Sequence, residues 1–346
     1  MNPNDSQLDR YRRQIRFVPL GEAGQRRLMD GRVLIVGCGA LGCVAADMLA
    51  RAGVGFLRIA DRDFVELDNL HRQILFDQHD AAAQLPKAVA AAQRLKRVNS
   101  DVHVEPVVVD VGPANLRQLA SGVDLLIDGT DNFETRYLLN DYAVASSAPW
   151  IFAGCVGAEG QTMAIVPGET PCLTCLMPEP PSAAALPTCD TAGVLGPIVS
   201  VVAALQAMEA LKLLSGHRDR LHPGLTVVDL WNNQIRSIGV AAGRNPDCPT
   251  CVRRQFDWLT GSRGAAARQL CGRNSVQIAP TAGEPVVLDV LAEKLRGVGQ
   301  VTTNPYLVRL EVDDYVLTIF ADGRTLVGGT DDLAIARTLH AKYVGS

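Results

Sequence analysis

The feature that most limits what this chain can fold into is the stretch Val33–Val36 followed at once by Gly37-Cys38-Gly39-Ala40-Leu41-Gly42. A short apolar run of this kind reads as a buried parallel strand. Glycines at spacing 1, 3 and 6, leading into a helix from about Leu41 to Ala52, form the turn that lets backbone N–H groups approach a phosphate at a helix N-terminus. A second strand, Phe56–Ala60, finishes at Asp61, where a carboxylate accepts hydrogen bonds from ribose hydroxyls. Strands near Val102–Val109 and Val123–Ile127 alternate with helices from Pro86 to Asn99 and from Asn132 to Ala145. That alternation predicts an α/β fold with a doubly wound, mostly parallel Rossmann-like sheet.

After Trp150 the pattern changes. Strands around Ile151–Val166, Leu225–Leu230 and Gln234–Val240 predict an added antiparallel section. Between them lie an irregular proline-rich stretch, Pro167–Pro187, and an apolar helix, Pro197–Leu214. Small polar residues at Gly261–Ala267 mark a linker, dividing a nucleotide-binding domain over 1–260 from a small α+β domain over 268–346. The tail shows strands at Tyr306–Val312, Tyr315–Phe320 and Thr325–Val327, then a helix at Asp331–Tyr343. An arginine-rich segment, Arg10–Arg32, reads as one or two helices leading into the first strand.

A net charge of −4 offers no general attraction to nucleic acid or anionic lipid. The longest apolar run, Val194–Leu214, is interrupted by Gln206, Glu209 and Lys212, so a membrane span is not expected. The first residues are polar and charged with no apolar signal core, which makes the cytoplasm the expected compartment.

Taken alone, the Gly37–Gly42 loop and Asp61 suit NAD, FAD or ATP. The following residues narrow the choice: Asn69, Arg72 and Gln73, then Lys87 at a helix start. A triphosphate needs several fixed cations and amide donors of this sort, whereas a dehydrogenase leaves them idle. Arg62 and Asp63, read singly, are solvated surface charges. Asp131, in Asp128-Gly129-Thr130-Asp131-Asn132 at a strand's carboxyl end, has two readings. It holds Mg²⁺ against phosphates, or it caps a helix with Glu134 completing a capping-box-like pair. Both stay open at this point.

Nine cysteines without a signal sequence point to metal or reactive thiols rather than a disulfide scaffold. Cys172/Cys175 and Cys248/Cys251 form two CxxC pairs, enough for a closed tetrahedral site. Cys189 lies in a loop away from these pairs. Cys38 and Cys271 read as small buried residues.

Several motifs occur together in a fixed order: Arg10-Tyr11-x-Arg13-Gln14-Ile15, the glycine loop, Asp61-x-Asp63, and Asn69-x-x-Arg72-Gln73. Pro86-Lys87, Thr130-Asp131-Asn132, the two CxxC pairs and Thr188-Cys189-x-x-x-Gly193-Val194 complete the series. In this combination, through about Cys251, the chain resembles the ThiF/MoeB/HesA family, bacterial relatives of the ubiquitin-activating enzymes. It departs from the family's Gly-x-Pro-Lys form in a longer stretch before Lys87, Asp80–Pro86.

The resemblance implies a homodimeric, zinc-containing adenylyltransferase that uses ATP on the terminal Gly-Gly carboxylate of a ubiquitin-fold sulfur-carrier protein. A sulfurtransferase or cysteine desulfurase is a further candidate partner. It implies that Gly37, Gly39, Ala40 and Gly42 line the nucleotide and that Asp61, with Asp63, serves the ribose side. Asn69, Arg72, Gln73 and Lys87 would face the phosphates, with Asp131, beside Asn132, taking Mg²⁺. Arg13 would enter from the other subunit. The four paired cysteines would hold Zn²⁺, and Cys189 either carries a covalent link to the carrier or is dispensable. The alternative from another class is a Rossmann oxidoreductase using NAD or FAD. A third reading is a non-catalytic adaptor.

Overall fold

Strands buried on both faces must be apolar at every position, and β1 (Arg32–Val36) meets that requirement from its second residue on. The computed structural model describes residues 7–181, 192–240, 243–263, 267–270, 274–278 and 286–344. Cys189 and Cys271 lie outside them. β1 pairs in parallel with β2 (Phe56–Asp61) on one side and with β4 (Leu125–Asp128) on the other. Beyond them, β3 (His103–Val108) pairs with β2, and β5 (Trp150–Val156) with β4, again in parallel. β6 (Glu159–Ile165), β7 (Gly224–Asp229) and β8 (Gln234–Gly239) continue the same sheet antiparallel. The resulting order is β3-β2-β1-β4-β5-β6-β7-β8. The chain leaves β1 toward one edge and restarts at β4 toward the other, so the crevice beyond β1 and β4 is the switch point where open α/β sheets bind ligands.

The period-two pattern of β1 splits its side chains between two cores. Val33 and Ile35 pack with Leu49 of α2 (Ala40–Ala52), Leu95 of α3 (Lys87–Val98) and Ala207 of α5 (Gly196–Leu214). Leu34 and Val36 pack with Tyr137 and Leu138 of α4 (Phe133–Ser146), together with Trp150 and Phe152. Each such fully buried aliphatic side chain contributes about 1.5–3 kcal/mol. A helix before β1, α1 (Gly21–Asp30), realises the expected N-terminal helical segment with two short turns ahead of it.

α5 departs from expectation. At 19 residues and a mean hydropathy of 1.6 it is long and apolar enough to cross a bilayer by those two measures, despite the polar residues that interrupt it. Its buried residues include the polar Gln206 and Glu209 together with Ile198, Val199, Val202 and Ala203. Ala153 of β5 and Val44 of α2 pack against that apolar stripe.

The chain divides into two units, Met1–Arg263 and Gly264–Ser346. The second holds an antiparallel sheet of six strands: β9 (Ala267–Leu270), β10 (Ser275–Ile278), β11 (Gln300–Asn304), β12 (Leu307–Val312), β13 (Tyr315–Phe320) and β14 (Thr325–Gly328). They run in the order β11-β12-β13-β14-β10-β9. α6 (Leu288–Leu295) and α7 (Leu333–Tyr343) cover one face, where Leu291, Leu295, Ala336 and Tyr343 meet Val276, Val308, Leu310, Leu317, Ile319 and Val327. Asp332 caps α7 by accepting from the N–H groups of Ala334 and Ile335.

Candidate active site

The glycine loop sits at the switch point because three glycines let two backbone segments touch. Gly37 has φ +87°, and its N–H donates to the Ala60 carbonyl at 2.8 Å, tying the loop to β2. A Cβ on Gly42 would stand 1.9 Å from the Gly37 carbonyl oxygen, and one on Gly129 would stand 2.2 Å from the same atom. Those two positions are therefore closed to any side chain by the protein's own backbone. Gly39 differs: a Cβ there would meet nothing nearer than the Gly129 carbonyl oxygen at 3.9 Å. The fold does not require glycine at 39, which leaves room for a ligand's close approach.

Asp61 ends β2 at 8% exposure. Its carboxylate oxygens accept from the backbone N–H of Cys38 at 2.5 Å and of Asp63 at 2.7 Å. Burial pushes its pKa up against the opposing charge of Lys87. Lys87 starts α3 at 2% exposure, with Nζ 3.3 Å from Asp63 Oδ2. The unusual stretch before it begins inside a short capped helix, Gln78–Ala82, and still leaves Lys87 buried.

Arg62 and Asp63, read from sequence as solvated charges, are 18% and 15% exposed along their side chains. Arg62 Nη1 lies 3.3 Å from Asp110 Oδ1. Burial works against its charge, but Asp63, Asp110, Asp131 and Asp61 outweigh that and hold the guanidinium's pKa above its usual value. Asp110 is 48 residues from Arg62 in sequence, a partner local reading could not supply.

Asn69, Arg72 and Gln73 form a second group around the turn at Leu67–Asn69. Asn69, 1% exposed, donates to Asp68 and accepts from Gln73 Nε2 at 2.9 Å. Arg72 is half-buried, and its Nη1 donates to the Asp68 carbonyl at 3.0 Å and lies 3.3 Å from His71 Nε2. Arg13 stays exposed on the turn Arg12–Ile15, while its neighbours serve the fold. Tyr11 accepts from Asn99 Nδ2 at 2.8 Å, and Gln14 Nε2 donates to the Ala52 carbonyl at 3.0 Å.

At the end of β4 the structure decides who caps α4. Asn132 Oδ1 accepts from the Thr135 N–H at 2.8 Å, so Asp131 does not cap with Glu134 and stands exposed in the turn. Asp128 and Arg136, which the sequence reading passed over, lie buried beneath it as an ion pair at 3.0 Å. Ala40 begins α2 directly after the loop. Cys38 is fully buried, and its hydrogen bond with Cys43 and its burial hold its pKa well above the ordinary thiol value. It is packing, as expected.

The two CxxC pairs converge although 76 residues separate them. The sulfurs of Cys172 and Cys175 are 3.9 Å apart, those of Cys172 and Cys248 3.6 Å, and those of Cys175 and Cys251 3.4 Å. All four lie within 4.8 Å of one another. A tetrahedral zinc with bonds of about 2.3 Å places its sulfurs about 3.8 Å apart, so the set fits that ion. Burial and the neighbouring thiols push Cys172 upward, and burial pushes Cys251 up to about 12, while backbone and thiol hydrogen bonds pull Cys175 down against its burial. A hydroxyl chain braces the cluster: Asn140 Nδ2 donates to Thr174, Thr174 bonds Thr250, and Thr250 donates to Asp141.

Comparison with known proteins agrees with this geometry. A family model described as the ThiF family matches residues 11–250. The Sulfur carrier protein ThiS adenylyltransferase of Bacillus subtilis is 43% identical, covering 97% of this chain and 99% of that protein. The SAMP-activating enzyme E1 of Haloferax volcanii is 40% identical over 71% of this chain and 89% of its own. Among solved structures, E. coli MccB with MccA-N7isoASN superposes with a TM-score of 0.61 at 24% identity, covering 71% of this chain and 74% of that one, a likeness of fold.

Proposed function

The chain belongs to the ThiF family, and from that premise we propose that it uses ATP to adenylate the C-terminal carboxylate of a ubiquitin-like sulfur-carrier protein. One carboxylate oxygen of the carrier's last residue bonds to the α-phosphorus. The bond from that phosphorus to the bridging oxygen breaks, and pyrophosphate leaves with the electron pair. A carboxylate is already ionised at neutral pH, so no general base is needed. What remains is to hold two anions in line and to offset charge on the phosphorus oxygens.

The observation that carries the reading is Lys87, an ammonium buried beside Asp61 and Asp63 at the foot of the glycine loop. Burying such a charge is costly, and a hydride-transfer site has no use for it. In this reading Gly37, Gly39, Ala40 and Gly42 receive the nucleotide, Asp61 the ribose, and Asn69, Arg72, Gln73 and Lys87 the phosphates. Asp131 supplies an exposed carboxylate to Mg²⁺, which when bound would neutralise charge on the leaving pyrophosphate. In the same reading Arg13 reaches the site from a second copy, so the working form is a homodimer. The four cysteines hold a structural zinc with no open position.

The test is carrier-dependent exchange of labelled pyrophosphate into ATP. Asp131→Ala and Arg72→Ala should each lower exchange by about 100-fold or more while far-UV circular dichroism stays unchanged. Exchange at wild-type rates in both variants, or binding of NAD in preference to ATP, would defeat the proposal. The C-terminal unit serves as a docking module for the carrier or another partner. Removing 264–346 should weaken carrier binding and spare ATP binding; unaltered carrier affinity would rule that role out.

A further inference from the structure

Gly129, Thr130 and Asn132 of the turn 129–132 each hydrogen-bond to the surrounding fold. The Gly129 N–H donates to the Val36 carbonyl at 2.8 Å. Asp128 Oδ1 accepts both the N–H and the hydroxyl of Thr130, at 2.9 and 2.7 Å. Its Oδ2 accepts Arg136 Nε at 3.0 Å and the Ala153 N–H at 3.3 Å. Arg136 then donates Nη2 to the Thr130 carbonyl at 2.9 Å, and Asn132 is occupied with capping α4. The carbonyl belongs to the Thr130–Asp131 peptide, so Arg136 fixes the plane from which Asp131 departs. Only Asp131 is exposed.

The pair is rigidly seated. Asp128 is 0% and Arg136 6% exposed. The guanidinium carbon lies 5.1 Å from the Phe133 ring and 5.5 Å from the Phe152 ring. A Cβ on Gly154 would approach Arg136 Nη2 to 3.3 Å. From the third side, Gln206 Nε2 of α5 donates to the carbonyls of Asp128 and Ile151, both at 2.9 Å. A buried ion pair is weak evidence for stability, since its desolvation offsets its attraction, and is often kept for specificity. Two charges enclosed this completely under an exposed carboxylate of the site call for a reason beyond stability.

We propose that Asp128 and Arg136 are positioning residues that aim Asp131 at the nucleotide's phosphates and their metal. The inference rests on the reading of Asp131 given above. Lysine at 136 would keep the charge but lose the fork that bonds a carboxylate and a carbonyl together. An error of about 1 Å at such a position lowers turnover by about 100-fold.

The test measures carrier-dependent pyrophosphate exchange for Arg136→Lys and for the milder Thr130→Val, which deletes one bond to Asp128, each alone and combined with Asp131→Ala. Binding of ATP is followed by calorimetry with and without Mg²⁺. Arg136→Lys should lower kcat by about 10- to 100-fold with KM for ATP within about twofold. Its ATP affinity without Mg²⁺ should stay unchanged and the gain from Mg²⁺ should shrink. In the Asp131→Ala background neither variant should have any further effect. Undiminished kcat in both variants, or an equal additional loss when Asp131 is already absent, overturns the inference. Failure of Asp131→Ala alone to alter exchange or the Mg²⁺ gain overturns instead the reading on which it rests.

Discussion

Asp141 shows how a single buried side chain can carry a pH dependence of stability. It is 1% exposed and accepts from Thr250 and from the N–H groups of Trp258 and Leu259. Burial nevertheless outweighs these bonds and raises its pKa to about 6. A carboxyl whose folded pKa exceeds its unfolded value of about 3.9 binds its proton more tightly when folded. Its contribution to stability is full below about pH 4 and is lost as pH rises through 6, an effect on the order of 2 kcal/mol. Asn at this position keeps an acceptor for the two N–H groups, and the hydroxyl chain can reverse. Asp141→Asn should therefore gain on wild type in thermal unfolding as pH rises from 4.5 to 7.5; parallel curves would contradict the assignment. Residues of this kind are illegible in sequence. Lys87 and Asp61 could be read because spacing from the glycine loop places them. Asp128, Arg136 and Arg62 could not, because their meaning lies in partners brought in by the fold.

At the level of the element, the loop between β1 and α2 separates two reasons for glycine. Gly42→Ala forces a methyl to 1.9 Å from a backbone oxygen that has no rotamer to escape into, which should destabilise by about 2–3 kcal/mol in chemical denaturation. Gly39→Ala meets nothing within 3.9 Å, so it should fold with wild-type stability and lose ATP affinity. Equal losses of stability in the two variants would contradict this division. The parallel strands and their helices were legible because each apolar run was flanked by turn chemistry, and their bounds moved by only a residue or two. The tail was less legible: β9, β10, β11 and α6 carry no clear pattern in the sequence. Pro86 stands outside α3 as its N-cap rather than at its first position. The polar residues that interrupt α5 are legible in sequence, but not their partners, since Gln206 and Glu209 find them only inside the fold.

For the molecule as a whole, the cysteine cluster joins segments the sheet does not, the turn at Leu173–Leu176 and the Cys248–Cys251 loop. Metal analysis should find stoichiometric zinc in the wild type and none in Cys248→Ser. That variant should melt on the order of 5–10 °C lower, and equal melting temperatures would remove the structural role. The eight-stranded sheet ends differently at its two sides. Its last strand, β8, is exposed at all six residues, with Ile235 and Ile238 on it and Trp231 just before it open to water. A margin like this is a liability when bare, since any extended chain can hydrogen-bond along it. Crowding free copies of the chain together should therefore glue them along that rim, and thinning the solution should part them again.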